Sequence, residues 1–330
     1  MSKTLRNNTL DVAKLLASFL VVFIHVPFYG IFGEIVKCIS RVAVPLFFMT
    51  SGYFSFQNDT KTIVRKIKKL VSILIFTSIL YNVLNVAVAF LSDGLGGIKD
   101  YLLGFADIGA WLKLIFFNLP FSATRLWFLF ALIYVYILQL LFNKLKFSYK
   151  LIFIISICGL VIHFLLGDVL VSLGINVPDY LGRNFLFFGY PFFGLGLIFR
   201  KEQEKIEQAN DKTLIICAVL GVLLSLAPLL YNTVSQISFG TLLLIFAVFA
   251  FSLKKCDTTY PDWILTLCKC SLGIYIFHKP VTTILNSILS FLNLSGTAII
   301  SGILLPPFVC IVTTVLVLIL QMLERKIKHK

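Results

Sequence analysis

Long apolar stretches alternate with short polar ones along most of the chain. We interpret ten of them as helices, near residues 10–32, 38–56, 70–92, 125–143, 151–173, 185–199, 213–230, 236–253, 263–288 and 298–322. Most have 18 or more residues, which is enough for a helix to cross about 30 Å of hydrocarbon. A helix also satisfies its backbone hydrogen bonds within its own segment. The pattern therefore predicts an all-α polytopic membrane protein with about ten transmembrane helices.

The composition favours the same fold class. Of the 330 residues, 59% are hydrophobic and 13% are charged, whereas soluble domains have about 25% charged residues. The longest strongly polar stretch covers only residues 200–212. We therefore expect a single membrane domain over residues 1–330 and no soluble domain. The scattered cysteines lack the spacing of a metal site, and we predict no bound metal.

The basic residues indicate an orientation. With the N-terminus inside, twenty of the 29 Lys and Arg residues fall in inner segments, at positions 3–6, 61–69, 144–150, 200–212, 254–255 and 325–330. Lys and Arg accumulate on the cytoplasmic side of membrane proteins. The pattern predicts that both termini are cytoplasmic and that the number of spans is even. The net charge of +14 follows from this topology and suits anionic lipids, so we infer no nucleic-acid partner.

Three ionisable residues lie in the first predicted span. Asp11 and Lys14 are three residues apart, so they share a helix face and can form an ion pair. His25 projects from the same face, about 16 Å further along the axis. Ionisable groups in a span are costly and often functional, and a histidine can move a proton near neutral pH. The alternative is a lysine that sets the topology and a hydrogen-bonded core histidine.

Further polar residues stand at the ends of later spans. Arg41 opens the second span, where Pro45, Ser51 and Gly52 suit a kinked, closely packed helix. Arg41 either extends to the membrane surface or binds an anionic or sugar substrate. Arg125 and Trp127 precede the fourth span, where Trp is commonly a membrane-interface anchor.

Two more groups are candidates for ligand binding. Tyr275 and His278 share a helix face, and the following Lys279-Pro280 is expected to end or kink that helix. The densest basic run contains Arg65, Lys66, Lys68 and Lys69. This run is either a topology signal or a phosphate site at a helix N-terminus. No phosphate-binding GxxxxGK[ST] loop occurs, so nucleotide hydrolysis is not expected.

In this order and on this number of spans, the motifs resemble those of acyltransferase family 3, which acylates bacterial surface glycans and related envelope molecules. The resemblance covers nearly the whole length. It rests on Asp11-x-x-Lys14 with His25, on Arg41-Val-Ala-Val-Pro45 through Ser51-Gly52-Tyr53, on Arg125-Leu-Trp127, and on Ser271-Leu-Gly-Ile-Tyr275-x-x-His278. The family usually has Arg where this chain has Lys14, and Arg-x-x-Arg where it has Lys66-x-x-Lys69.

The resemblance implies an enzyme of the bacterial plasma membrane. It would transfer an acyl group, acetyl or succinyl, from cytoplasmic acyl-CoA to a hydroxyl of a cell-surface polysaccharide or lipid-linked sugar. His25, with Asp11 and Lys14, would form the catalytic site. The basic run at 65–69 would bind the donor, and the acceptor would meet Arg41, Ser51, Arg125, Trp127, Tyr275 and His278. No permanently bound cofactor is implied, and the partners are acyl-CoA, the glycan acceptor and membrane lipids.

Two other interpretations remain open from the sequence. A transporter or exporter of a glycan or small solute would also line a path with buried polar residues. No clear inverted repeat supports that alternative. A membrane sensing module is the other, and the lack of a fused domain disfavours it.

Overall fold

A computed structural model of the chain describes residues 7–230, 237–294, 297 and 299–328. The basic residues at positions 3, 6 and 330, which entered the charge count, lie outside this part. The described residues form helices and no strands, so the all-α prediction is confirmed. They fall into two compact units. Unit 1 consists of Met1–Phe47 and Glu202–Lys330, and unit 2 of Phe48–Lys201.

The helices follow one another with short connections. The first three are α1 Asn8–His25, α2 Gly30–Ser40 and α3 Ala43–Tyr53. Unit 2 continues with α4 Thr60–Leu103, α5 Ile108–Phe117, α6 Trp127–Lys144, α7 Tyr149–Phe164, α8 Leu170–Ser172, α9 Asp179–Gly182 and α10 Tyr190–Lys201. The rest of unit 1 contains α11 Gln203–Glu207, α12 Asp211–Ser225, α13 Ala227–Leu230, α14 Phe239–Lys254, α15 Asp262–Cys268, α16 Ser271–Phe291 and α17 Leu305–Lys328. Short 3₁₀ turns cover Gly104–Ala106 and Thr124–Leu126, and π-helical turns cover Leu165–Val169, Phe185–Gly189 and Ile300–Leu304.

Six helices of the described part are long and apolar enough to cross a membrane. They are Asn8–His25, Thr60–Ala106, Thr124–Lys144, Tyr149–Gly167, Asp211–Leu230 and Ile300–Ile327. Their outer faces carry large apolar side chains, such as Ile79, Val83 and Leu223, each at least 60% exposed. Exposed apolar surface of this extent requires lipid around it. The chain is thus a multi-pass membrane protein, while the count of ten spans and the cytoplasmic termini stay predictions.

The first two predicted spans have different boundaries in the structure. The expected helix 10–32 ends at His25, because Val26 leaves the helical region (φ −128°, ψ 79°) before Pro27, and the α region is disfavoured for a residue that precedes proline. The expected helix 38–56 is interrupted near Arg41 and restarts at Ala43. Pro45 lies in the first turn of α3, which is the part of a helix that tolerates proline.

Other boundaries changed as well. The predicted span 263–288 is divided at Lys269–Cys270 into α15 and α16. Of the two outcomes expected at Lys279-Pro280, an end or a kink of the helix, the end does not occur, because α16 continues through Pro280 to Phe291. Neighbouring helices can support a proline inside a membrane helix. The long α4 is kinked at Asp93–Gly94, where Gly94 has φ +60° and ψ −140°, a conformation that glycine adopts without a steric penalty.

Glycines allow helices of unit 2 to approach at backbone distance. A Cβ on Gly52 of α3 would lie 1.9 Å from the Phe193 carbonyl oxygen of α10. Conversely, a Cβ on Gly196 of α10 would lie 2.0 Å from the Met49 carbonyl oxygen of α3. This reciprocal packing agrees with the close contact expected from Ser51-Gly52. Around it, α10 is buried from Tyr190 to Leu197.

Unit 1 has its own apolar core. Buried residues in or next to α1, α15, α16 and α17 form it: Leu15, Val22, Val26, Cys268, Cys270, Ile274, Val281, Leu305, Val309, Cys310 and Val317. Close packing fixes the pairing of α16 with α17, because a Cβ on Gly273 would lie 2.5 Å from a methyl carbon of Val317. The N-terminus of α1 is anchored separately, where the Asn7 side-chain amide donates to the Ser252 carbonyl at 2.9 Å.

Candidate functional site

Two histidines that are distant in the sequence meet in unit 1. His25 is the last residue of α1, and His278 lies in the second turn of α16, which packs beside α1. Their rings are stacked, with centroids 5.3 Å apart and planes inclined by 10°. The sequence marked both residues as candidates, but it did not predict that they are in contact.

The orientation of His278 is set by its own helix. Its Nδ1 lies 2.6 Å from the backbone carbonyl oxygen of Tyr275, and the side chain is 1% exposed. A carbonyl oxygen only accepts hydrogen bonds, so Nδ1 carries the proton. In the neutral ring Nε2 is then the basic nitrogen. The Tyr275 ring also lies near, with its centroid 6.1 Å from that of His278.

Asp11 and Lys14 form the ion pair expected from their spacing. Lys14 Nζ lies 2.6 Å from a carboxylate oxygen of Asp11, and both side chains are partly buried. Eleven residues separate Lys14 from His25, which corresponds to about 16 Å along a helix. The ion pair and the histidine pair therefore lie near opposite ends of α1.

Arg41 occupies the connection between α2 and α3. It is half-buried, and its backbone N–H donates to the Cys38 carbonyl at 3.4 Å. The sequence thus places a guanidinium at a helix break rather than inside a continuous span. This position suits a residue that extends toward a ligand or the membrane surface.

In unit 2, Trp127 is the first residue of α6 and belongs to an aromatic cluster. Its ring centroid lies 5.6 Å from that of Phe188 and 6.5 Å from that of Phe48. Arg125 stands in the 3₁₀ turn just before α6, and its charge acts on the hydroxyl of Tyr81 in α4. Both residues are half-buried at the start of a helix, where the sequence placed them.

Ser51 takes part in a polar contact between α3 and α6. The side chains of Ser51 and Ser55 are hydrogen-bonded to the Tyr136 hydroxyl, which is deeply buried. The Ser55 hydroxyl also donates to the Ser51 carbonyl at 2.6 Å. Ser51 is therefore used in packing two helices of unit 2, and Tyr136 is a polar residue that sequence reasoning did not single out.

The basic run at 65–69 begins in the second turn of α4, and its members have different surroundings. Lys66 Nζ donates to the Phe54 carbonyl at 2.8 Å and to the Ser55 hydroxyl at 2.9 Å, and it lies 5.5 Å from the centre of the Tyr136 ring. Lys66 thereby binds the C-terminal end of α3. The other three basic residues are exposed: Arg65, Lys68 and Lys69.

A polar cavity lies beside this contact, entirely within unit 2. Its volume is about 280 Å³, and its lining contains no carboxylate: Ser55, Gln57, Asn58, Gln139, Asn143, Lys146, Phe147, Tyr149, Ile152 and Leu197. Gln139 is 4% exposed, donates to the Asn143 side chain at 2.7 Å and accepts from the Tyr190 hydroxyl at 3.1 Å. Among the described residues, no group of three or more His, Cys, Asp or Glu is placed to hold a metal. The cavity is thus suited to a neutral or anionic polar ligand.

Comparison with known families decides the class. The family model of the acyltransferase domain matches residues 7–322, nearly the whole chain. The chain belongs to acyltransferase family 3. The resemblance noted in the sequence is therefore confirmed, and the match indicates an acyltransferase rather than a transporter. No curated protein and no solved structure matches the chain.

The polar cavity and the histidine pair differ in how far the sequence of this acyltransferase indicates them. The polar cavity depends on Gln139 and Asn143, which are four residues apart in an otherwise apolar span. That spacing puts both amides on one helix face and is a usable signal. The histidine pair has no such local signal, because its members come from the first and the last third of the chain.

Proposed function

We propose that this family 3 protein is an integral membrane O-acyltransferase of the bacterial plasma membrane. It transfers an acyl group, acetyl in the first place and succinyl as a second donor, from cytoplasmic acyl-CoA to a hydroxyl of a cell-surface polysaccharide or lipid-linked sugar. The observation that supports this most directly is the histidine pair, because it puts a basic nitrogen at the end of an apolar helix in a chain of an acyltransferase family.

His25 is the proton acceptor in this proposal. The acceptor hydroxyl loses its proton to the imidazole while its oxygen attacks the thioester carbonyl carbon. The carbon–sulfur bond breaks, the new ester bond forms, and coenzyme A leaves as the thiol after taking up a proton. His25 is half-buried where α1 stops before Pro27, so its ring stands at a helix end rather than inside a continuous ladder.

Unit 2 carries the groups that suit the donor. Coenzyme A is an anion with several phosphates, and exposed Arg and Lys bind phosphate well. Arg65, Lys68 and Lys69 offer such charges, while Lys66 supports the wall of the polar cavity through Ser55. The amide-lined cavity, with Lys146 among its residues, is the place proposed for the polar parts of the donor. Both termini and this basic end are then cytoplasmic, as the distribution of Lys and Arg indicates.

The acceptor is assigned to polar and aromatic residues at helix ends. Arg41 and Tyr275 belong to unit 1 and Arg125 and Trp127 to unit 2, and each pair is a separate candidate for acceptor binding. Tryptophan and tyrosine offer flat faces to sugar rings, and arginine binds hydroxyl and carboxylate groups. The Asp11–Lys14 ion pair keeps the other end of α1 neutral overall.

The decisive experiment uses the purified full-length protein in lipid nanodiscs. Labelled acetyl-CoA and succinyl-CoA are added separately, each together with a glycan fraction of the cell envelope as acceptor, and release of coenzyme A thiol is followed. We expect release from at least one donor, with a fall of about 100-fold or more in His25→Gln, the size of effect that a general base contributes. His163→Gln is the matched control, because His163 is also buried in an apolar helix, where its Nδ1 lies 3.1 Å from the Gly182 carbonyl oxygen. A protein that neither binds nor cleaves either donor, in cells that still need it for glycan export, would overturn the proposal.

A further inference from the structure

The histidine pair is asymmetric, and this asymmetry assigns different roles to its members. His278 is 1% exposed and is held by the Tyr275 carbonyl, whereas His25 is half-buried. A charge on His278 would have to be buried almost completely, which is costly. The proton taken up during a reaction therefore belongs on His25, while His278 stays neutral in one tautomer.

The stacked geometry allows the neutral His278 ring to stabilise the charged form of His25. Near-parallel rings with centroids 5.3 Å apart are offset-stacked, so each acts on the other through its face. The face of an aromatic ring attracts a cation within about 6 Å of its centre. When His25 becomes an imidazolium, the face of His278 is thus placed to stabilise it and to keep the two planes parallel.

We propose that His278 is a positioning residue for His25. This inference rests on the proposed function, in which His25 accepts the proton. His278 makes the base effective in two ways: its ring face supports the charged form, and its Nδ1–H bond to Tyr275 prevents the ring from turning. It replaces the sequence-based expectation that His278 contacts the acceptor.

Three substitutions separate these contributions. His278→Phe keeps a flat ring but loses the bond to Tyr275, His278→Asn keeps an N–H donor but loses the ring, and His278→Ala loses both. We expect kcat to fall between about 2-fold and 30-fold in His278→Ala, the range that a cation over an aromatic face provides. KM for the acyl-CoA donor should change little, and His278→Phe should recover more of kcat than His278→Asn does.

Control variants at His163 distinguish a general folding defect from loss of the stacked ring. His163→Ala and His163→Phe serve as controls, because the His163 ring meets its aromatic neighbours edge-on rather than stacked on a histidine. These two variants should show no advantage in kcat from keeping a ring. If His278→Phe is no better than His278→Ala, or if the changes appear in KM alone, the positioning role is wrong.

A spectroscopic measurement tests the pair without turnover. The chain has only four histidines, so ¹⁵N-histidine labelling gives few ring signals, and single substitutions can assign them. We expect the His278 signals of a neutral ring protonated at Nδ1, and a change in them in His25→Gln. A His278 ring protonated at Nε2 alone would overturn the inference. Absence of thiol release together with the expected signals would instead contradict the proposed function and leave the ring pair intact.

Discussion

The backbone contact between α3 and α10 in unit 2 leads to a quantitative prediction. An alanine methyl at Gly52 would lie 1.9 Å from the Phe193 carbonyl oxygen, whereas real Cβ contacts are almost never under 3.0 Å. The two helices must therefore separate by about 1.1 Å at this point, the difference between those distances. The obstacle is backbone, so rotation of a side chain cannot relieve it.

The cost follows from the packing lost. Overpacking of a well-packed core typically costs 1–3 kcal/mol, and a backbone obstacle places Gly52→Ala near the upper end, at about 3 kcal/mol. With an unfolding entropy of about 2.1 cal/mol/K per residue, this corresponds, for a chain of 330 residues, to a fall of roughly 4 °C in the melting temperature. Gly196→Ala meets the Met49 carbonyl at 2.0 Å and should cost about as much. Because one separation of α3 and α10 relieves both clashes, the double variant should lose less than the sum.

Gly96→Ala is the matched control within the same unit. Gly96 lies in α4 with no heavy atom within 4 Å of its added Cβ. Alanine is a better helix former than glycine by about 0.5–1 kcal/mol, so this variant should melt slightly higher than the wild type. Heating is followed by tryptophan fluorescence in nanodiscs, which is sensitive to unit 2 because Trp111 and Trp127 both lie there. A melting curve for Gly52→Ala that matches that of Gly96→Ala would refute the reasoning.

Three further changes test polar groups. Thr313→Val removes a buried hydroxyl that has no hydrogen-bond partner among the described residues, so the melting temperature should stay the same or rise. Thr314→Val removes a hydroxyl that donates to the Cys310 carbonyl at 2.7 Å, and it should lower the free energy of unfolding by about 1 kcal/mol. Lys69→Met should raise KM for acyl-CoA with little change in melting temperature. Lys66→Met should lower the melting temperature with little change in KM. Equal effects on KM would contradict the assignment of Lys69 to the donor and of Lys66 to the contact with α3. Hydrogen bonds from Thr62 hold the pKa of the Asp59 carboxyl below its usual value. The cap that Asp59 gives to α4 is therefore fully stabilising above the usual pKa and is lost as the pH falls through the lowered pKa. Asp59→Asn should remove this acid dependence from the melting curves.

The fold class could be predicted because it depends on local properties. Apolar length, helix-compatible spacing and low charge are properties of each segment, and the long helices α4, α6, α7 and α12 lie where these properties indicated them. The helix boundary before Pro27 could also be derived in principle. The continuation of α16 through Pro280 could not, because it depends on the helices packed around it rather than on the residue itself.

Burial within the membrane domain was harder to predict than the helices. The segment Tyr190–Lys201 is rich in glycine and aromatic residues and has few of the features of a lipid-facing span. It is nevertheless the buried helix of unit 2, and the reason is steric: Gly194 and Gly196 let Ser156 and Met49 approach closer than any Cβ would allow. Hydropathy measures preference for lipid, and a helix surrounded by protein does not need that preference.

The ionisable residues of α1 show where sequence reasoning about a site stops. Asp11 and Lys14 satisfy each other at 2.6 Å, as their spacing requires in any helix, so their pairing by itself says little about chemistry. His25 has its aromatic partner in α16, and only the packing of α1 beside α16 brings the rings together. A polar residue satisfied within its own helix is explained by folding alone. A polar residue whose partner comes from a distant segment depends on the packing of two helices. The His25–His278 pair, rather than the ion pair, is therefore the better place to test for catalysis.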